Sequence, residues 1–245
     1  MRGHQPSTQS LTLWLLSLTL LFGSVGPARS EINQQGGGWL MFLGSGSFEP
    51  LAPSLSRLRW WFDGQARFSQ QADGLGQTIV RPVLGWALNE STSVWIGYGW
   101  IRDYDYFPSG DDRDENRIWQ QLLWNGSVSR WSVQSRTRLE QRFVEGGDDV
   151  GWRLREFVKV VYPLIKSGRI RFAAYEEIFI NLNDTDWGAR AGFDQNRVFL
   201  GLNVPLDSDR NIQAELGYLN RYAEPPEVDA GFMDHLISFN LLVSY

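Results

Sequence analysis

The residues of this sequence that could do chemistry are mostly arginines, and many recur at every second position. The chain holds 23 basic residues, and only Lys159 and Lys166 among them are lysines. Arg136 and Arg138 are separated by one residue, as are Arg153 and Arg155. A guanidinium group binds carboxylates and phosphates through two parallel hydrogen bonds. The spacing therefore predicts either a network of internal ion pairs or a site for a small anion.

Other kinds of catalytic site find little support in the residues. The sequence has no cysteine, which excludes a thiol nucleophile, a disulfide framework, a zinc–thiolate site and an iron–sulfur cluster. His235 and Ser238 fall on opposite faces of one alternating segment, and a Ser–His pair needs hydrogen-bond reach. Glu140 and Glu177 are carboxylates that could act as an acid/base pair. We expect no catalytic residues, no metal and no cofactor, with a lipid-modifying hydrolase as the alternative.

The elements that position these residues are strands, because the chain from Leu58 to Tyr245 alternates with a period of two. Short connections at one end alternate with long, acidic or glycine-rich loops at the other, near 69–77, 103–115, 144–151, 182–195 and 222–234. This arrangement is typical of a transmembrane β-barrel. The alternation predicts strands near residues 57–68, 78–88, 93–102, 116–125, 130–143, 152–162, 169–181, 196–204, 211–221 and 235–245.

We therefore predict an all-β protein, a single up-and-down antiparallel transmembrane β-barrel of about ten strands over residues 55–245. The sequence does not determine the secondary structure of residues 31–54. Residues 39–43 fit an extra strand, half of a hairpin that would raise the number to about twelve, or a segment near the barrel mouth.

Residues 1–30 have the form of a secretory signal peptide. Arg2 and His4 precede an apolar run over 11–22, and small residues, Ala28 and Ser30, occupy positions −3 and −1. The run is too short to span a bilayer, which takes about 20 residues. We expect cleavage after Ser30 and export through the periplasm. The net charge of −5 argues against nucleic acid as a partner.

The alternation alone does not say which face points into the barrel. A soluble secreted barrel that binds a ligand would place its apolar face inside. Aromatic residues at both ends of the apolar face favour a membrane barrel, since lipid interfaces select two belts of rings. Glu156 and Glu176 do not fit this outward face. The expected interface aromatics are Trp86, Trp100, Trp124, Trp131, Trp152, Tyr162, Tyr218 and Tyr245.

With that orientation the charged face lines the lumen, where buried charges persist only when paired or hydrated. Counting back from the loops, we expect Glu140 near Arg153 or Arg155, and Glu177 near Arg197. The predicted lumen holds more cations than acids, and so it is either a structural ion-pair network or a path or site for small anions. The predicted polar cluster comprises Arg117, Glu140, Arg142, Arg153, Arg155, Glu177, Arg197 and Glu215.

Four segments carry a resemblance to a known family. They are ENRIWQQL at 115–122, EIFIN at 177–181, GFDQNRVFLGL at 192–202 and ELGYL at 215–219. With the start at Trp39, their order and spacing resemble an uncharacterised bacterial outer-membrane family, domain of unknown function 2490. The resemblance runs from Trp39 to Tyr245 and implies a β-barrel in the outer membrane of a Gram-negative bacterium, with no established activity. Arg117, Glu177 and Arg197 match its motifs.

These observations predict a cell outer-membrane barrel of unassigned activity, structural or with a narrow pore. The expected partners are the lipid bilayer and lipopolysaccharide, whose phosphates the acidic loops over 111–115 and 145–149 could bridge through divalent cations. The aromatic C-terminal residue, Tyr245, resembles the assembly signal of outer-membrane proteins, and implies the outer-membrane assembly machinery as a further partner.

Overall fold

Eleven strands and one short 3₁₀ helix, Pro53–Leu55, make up the regular structure of the described residues. The computed structural model describes residues 32–70, 72–104, 112–224 and 231–245, and the predicted signal peptide lies outside them. The strands are β1 (Ile32–Ser47), β2 (Leu58–Ser69), β3 (Gly74–Ala87), β4 (Thr92–Asp103), β5 (Arg113–Val128), β6 (Trp131–Val144), β7 (Gly151–Pro163), β8 (Arg171–Asn181), β9 (Gly192–Pro205), β10 (Ile212–Ala223) and β11 (Gly231–Ser244).

The strands close into one barrel, in which each strand pairs with its neighbours in sequence. All consecutive pairs are antiparallel, and β1 pairs in parallel with β11, from Ile32 beside Gly231 to Ser45 beside Ser244. This parallel closure follows from the odd number of strands, since the first and last strands of an odd antiparallel series run in the same direction. The predicted all-β barrel is confirmed, with a strand number between the two that the sequence left open.

The segment that the sequence left open forms β1, the strand that closes the ring. Its glycines at 36–38, 44 and 46 give little β-propensity, which explains why the alternation is weak there. Gly37 is required by a close approach, because a Cβ at this position would lie 2.2 Å from the carbonyl oxygen of Phe68 on β2.

The two ends of the barrel differ in their connections. We call the end with the segments 70–73, 104–112, 145–150, 182–191 and 224–230 the loop end, and the opposite end, which carries the C-terminus, the turn end. The predicted long loop over 69–77 is wrong: β3 begins at Gly74, and Asp73, at a φ of 45°, makes a tight turn instead. At the turn end, residues 48–57 form a longer connection than the alternation predicts.

Apolar side chains cover the outside of the wall, and charged side chains are buried inside it. Leu84, Ile96 and Ile237 are 51%, 57% and 69% exposed, whereas Arg138 and Glu140 are 0% and 1% exposed. A soluble barrel has the opposite distribution. No helix in the described part of the chain is long and apolar enough to cross a membrane.

The predicted interface aromatics stand near both ends of the wall. Trp86, Trp131 and Tyr162 lie near the turn end, and the last two rings pack with their centroids 4.7 Å apart. Trp152 opens β7 at the loop end. Tyr245 differs, because it sits on the turn-end rim and borders the interior. Trp100, Trp124 and Tyr218 lie in the same alternation phase as their exposed neighbours.

The two outward carboxylates that do not fit a lipid-facing surface have local partners. Glu156 accepts a hydrogen bond from the Thr137 hydroxyl at 2.9 Å, and Glu176 accepts one from Asn196 Nδ2 at 3.1 Å. Each pair joins neighbouring strands on the outer face. Hydrogen bonding lowers the cost of placing these polar groups beside apolar side chains.

Candidate functional site: the barrel interior

Three buried glutamates organise the charges inside the barrel, and Glu140 on β6 is the central one. Its carboxylate lies 2.7 Å from Arg153 Nη2 and 2.5 Å from Arg155 Nη1, both on the adjacent β7. Arg138, two residues before Glu140 on the same face, is 3.5 Å away. Period-two spacing and cross-strand pairing therefore bring three guanidinium groups to one carboxylate.

Glu177 on β8 forms the second group. Arg155 Nη2 lies 2.6 Å from its Oε1, Arg136 pairs with the same oxygen, and Arg197 Nη1 lies 3.8 Å from Oε2. Arg155 thus bridges Glu140 and Glu177. The two groups form one continuous network across β6 to β9.

Glu115 on β5 forms the third group, and the sequence analysis missed it. It accepts hydrogen bonds from Arg117 Nε at 2.7 Å and Arg142 Nε at 2.6 Å. The signal was present, because Glu115 shares the phase of Arg117. Placing the start of the strand near residue 116 left this carboxylate in a loop, whereas β5 begins at Arg113.

The structure brings most of the predicted cluster together and places one member apart. Arg117, Arg142, Arg153, Arg155, Arg197, Glu140 and Glu177 all belong to the three groups. Glu215 lies away from them, paired with Lys159 and accepting a hydrogen bond from Asn203 Nδ2 at 2.8 Å. Besides Glu115, the buried acids Asp103 and Asp234 were not predicted.

Arginines outnumber acids in this network, and aromatic rings take up part of the surplus. The Arg138 guanidinium lies 3.8 Å from the ring centroid of Trp119, and that of Arg197 lies 4.4 Å from Phe179. Arg155 also faces Phe179, at 4.4 Å. Cation–π contacts favour a desolvated guanidinium. These interior rings were not predicted, although Trp119 and Phe179 share the alternation phase of the charged residues.

Two loops pack over the network at the loop end. The Asp186 carboxylate accepts hydrogen bonds from the backbone N–H groups of Asp148 at 2.8 Å and Asp149 at 3.1 Å. These donors hold the pKa of Asp186 below its ordinary value. The next residue, Trp187, places its ring 4.8 Å from the guanidinium of Arg142. The loops 145–150 and 182–191 are thereby tied to each other and to the network.

A cavity of about 1070 Å³ occupies the other half of the interior. Its lining starts at rim residues of the turn end, such as Ser47, Ser127 and Ser244, and reaches inward as far as Arg155 and Arg197. The network stands between the cavity and the loop end. The interior is therefore a cup that opens at the turn end and has an arginine-rich floor.

The wall of the cup has two chemically different sectors. The sector from β1 to β5 carries most of the large apolar side chains together with Arg59, Arg67 and Arg81, and the sector from β6 to β10 carries mostly hydrogen-bonding and cationic ones beside Phe157, Val161 and Tyr175. The apolar sector includes Leu43, Trp61, Trp95 and Leu123; the polar sector includes Arg136, Lys159, Arg171, Asn203 and Gln213.

Arg171, on β8, differs from the other cations of the polar sector. Its Nη2 donates to Gln213 Oε1 at 2.8 Å, and its buried Nε has no hydrogen-bond partner. Within the described ranges no ion pair joins Arg171 to a carboxylate, whereas Arg136 and Lys159 each have one. Arg171 therefore contributes, near the mouth, a charge that no carboxylate of the described residues pairs with at salt-bridge distance.

His235 and Ser238 do not meet. His235 Nδ1 lies 2.6 Å from the Tyr218 hydroxyl on the outer face, while Ser238 is buried inside. In the part of the chain that the structure describes, no three His, Cys, Asp or Glu residues are grouped as metal ligands.

A family model described as "Protein of unknown function (DUF2490)" matches residues 36–230. The chain belongs to this family. The family resemblance of the sequence motifs is thereby confirmed. The DUF2490 chain is 36% identical over 236 residues to an uncharacterized protein of Methylorubrum extorquens, covering 96% of this chain and 98% of that protein.

One solved structure is similar to the barrel: a loop L8 deletion mutant of OmpT, an outer membrane protein of Vibrio cholerae. The match has a TM-score of 0.38 and 14% identity, and it covers 66% of this chain. It spans 53%, about half, of the OmpT mutant's own length.

Proposed function

We propose that this protein is an outer-membrane β-barrel that binds small anions in a blind interior cup rather than conducting them across the membrane. The observation that carries the proposal is the cup itself, which opens at the turn end, is floored by arginines that outnumber their acids, and carries near its mouth Arg171, for which the described residues show no ion pair. Surplus guanidinium groups in a partly dry interior attract carboxylate and phosphate groups. The proposal assigns no catalysis.

The proposed location rests on the outer surface. An apolar wall with rings near both ends suits a bilayer, and placing the C-terminus in the periplasm makes the cup open to the periplasm. The exposed acidic loops at the loop end would then meet lipopolysaccharide. Tyr245, whose N–H donates to the Ser45 carbonyl at 2.9 Å, follows β11, the strand proposed to meet the assembly machinery.

Sulfate binding to the folded barrel in detergent tests the binding function. We expect sulfate to raise the unfolding temperature above that in chloride at equal ionic strength, because a ligand of the native state stabilises it. Arg171→Gln should abolish most of this difference. Arg190→Gln, on an exposed loop, should retain it. Equal unfolding temperatures in the two salts would refute anion binding.

Conductance in planar bilayers tests the blind interior separately. Because the buried network fills the loop-end half, we expect insertion of the wild type to give no steady ionic current. A steady anion-selective current would refute the closed cup and restore the narrow pore that the sequence left open.

A further inference from the structure

We infer that the ligand of the cup is an amphipathic organic anion: a body with an aromatic ring, a carboxylate, and an N–H or O–H donor close to that carboxylate. An acylated aromatic amino acid has this chemistry. The inference rests on the proposed anion-binding function and goes beyond it by naming the substrate class and the seat of each part.

The volume of the cup suits an organic ligand. Pockets that hold organic ligands measure about 300–1,000 Å³, and the cup, at about 1070 Å³, is slightly larger than the upper end of that range. A bare inorganic anion would fill a small part of it and leave the apolar sector in contact with water. An organic body fills the space and removes that apolar surface from water.

The apolar sector provides the seat for the ring. Trp61 and Trp95 pack edge to face, with their centroids 5.9 Å apart. Their indole N–H groups are already engaged, Trp61 with Asp63 at 2.8 Å and Trp95 with Ser93 at 2.8 Å. Trp61 is also in contact with the ring of Trp119, at 5.8 Å, and with the guanidinium group of Arg138, at 5.6 Å. Both tryptophans border the cup with their indole N–H groups satisfied, which favours an aromatic ligand group over a polar one.

The polar sector provides the seat for the head group, in a pair of residues directly opposite each other on β8 and β9. Arg171 and Asn203 are cross-strand partners. Among the described residues, Arg171 Nε is a buried donor without a hydrogen-bond partner and Asn203 Oδ1 is a buried acceptor without one, and two other arginines of the cup, Arg136 and Arg197, also have an unpartnered Nε. Asn203 itself is 2% exposed. Buried polar groups are rarely left unsatisfied, and a ligand that carries both an acceptor and a donor would supply partners for these two atoms.

The orientation of the Asn203 amide follows from its neighbours. Its Nδ2 donates to Gln213 Oε1 at 3.2 Å and to Glu215 Oε1 at 2.8 Å. Both partners are acceptors, and Gln213 Nε2 is itself donating to the Arg210 carbonyl at 2.8 Å. The Nδ2 position is therefore the amide nitrogen, and Oδ1 is the atom without a hydrogen-bond partner among the described residues. A ligand that satisfies both residues must carry an anionic acceptor for Arg171 and a donor for Asn203.

Three related compounds separate the parts of this inference by equilibrium dialysis against the folded full chain. N-acetyl-L-tryptophan carries the ring, the carboxylate and the amide N–H. Its carboxamide lacks the charge, and indole-3-propionate lacks the N–H beside the acid. We expect the carboxamide to bind at least about tenfold more weakly and indole-3-propionate about fivefold more weakly, as expected for loss of a charged and a neutral hydrogen bond.

Two variants test the seats, each with a matched control. Arg171→Gln and Trp95→Leu should each weaken N-acetyl-L-tryptophan binding about tenfold. Arg190→Gln on the loop and Trp131→Leu on the outer wall should leave it unchanged. A shift in gel mobility on heating shows that every variant is folded.

The outcomes distinguish the inference from the function on which it rests. Binding of N-acetyl-L-tryptophan that exceeds that of sulfate and depends on Arg171 and Trp95 supports both. If sulfate binds in an Arg171-dependent way and N-acetyl-L-tryptophan binds no better, the inference is overturned and the anion-binding function stands. If neither binds, both are overturned.

Discussion

Removing the charge of Glu140, the central carboxylate of the interior network, should destabilise the barrel more than a neutral substitution on the outer face does. Glu140 is 1% exposed and accepts charge-assisted hydrogen bonds from Arg153 at 2.7 Å and Arg155 at 2.5 Å. Glu140→Gln keeps the shape of the side chain but removes its charge, so that these guanidinium groups are less well compensated. Breaking a buried pair in this way costs about 3–5 kcal/mol, and we expect a loss of that size in the free energy of unfolding.

The assay is reversible urea unfolding of the barrel in lipid vesicles, followed by tryptophan fluorescence. Glu156→Gln is the matched control, because Glu156 lies on the adjacent strand and faces outward, with Thr137 as its partner. This change should lower the free energy of unfolding by less than about 1 kcal/mol, or raise it, since a carboxylate on a lipid face is unfavourable. Equal losses for the two variants would refute the view that the interior network stabilises the barrel.

Three further predictions address closure, the loop end and the outer wall. Gly37→Val should prevent the pairing of β1 with β2, because its Cβ would lie 2.2 Å from the Phe68 carbonyl oxygen. The heat-dependent gel shift of the folded barrel should then be lost. It should be retained in the control Gly38→Ala, whose Cβ would lie 3.7 Å from its nearest neighbour. Asp186→Asn should speed hydrogen exchange in the adjoining loop. In the wild type, the pKa of Asp186 is lowered, so the loop contact should be intact above the ordinary pKa of aspartate and lost as pH falls through the lowered value; protection factors, corrected for the intrinsic exchange rate, that do not change over this pH range would contradict this. Ile237→Arg on the outer wall should cost about 2–4 kcal/mol in vesicles, and no loss would argue against a lipid-facing wall.

Most of the interior could be predicted from the sequence. Side chains alternate between the two faces of a strand, so once it is known that the charged face points inward, every residue of that strand is assigned to the inside or the outside. Arg153, Arg155 and Glu140 fall on one face for this reason, and short turns bring their strands side by side. Glu115 was missed through a strand boundary placed a few residues late. Local alternation carries no information about where a strand begins when charged residues continue into the loop.

Other features depend on the closed ring and could not be read from the alternation. β1 is rich in glycine, so the closing strand and the parallel seam with β11 had no clear periodic signal. The division between a filled half and an empty half depends on where large rings such as Trp119 and Phe179 point into a ring of given width. The pairing of Arg171 with Asn203 depends on the register of β8 and β9, which one strand alone does not determine.

The most direct test of the account is quenching of a fluorescent label by brominated lipid in vesicles. The sequence has no cysteine, so a bimane label can be placed at single positions, Ile96→Cys and Ile237→Cys on the wall and Gln134→Cys in the cup. The account predicts strong quenching at both wall positions and little in the cup. Weak quenching at the wall positions, or quenching that is strongest in the cup, would contradict it.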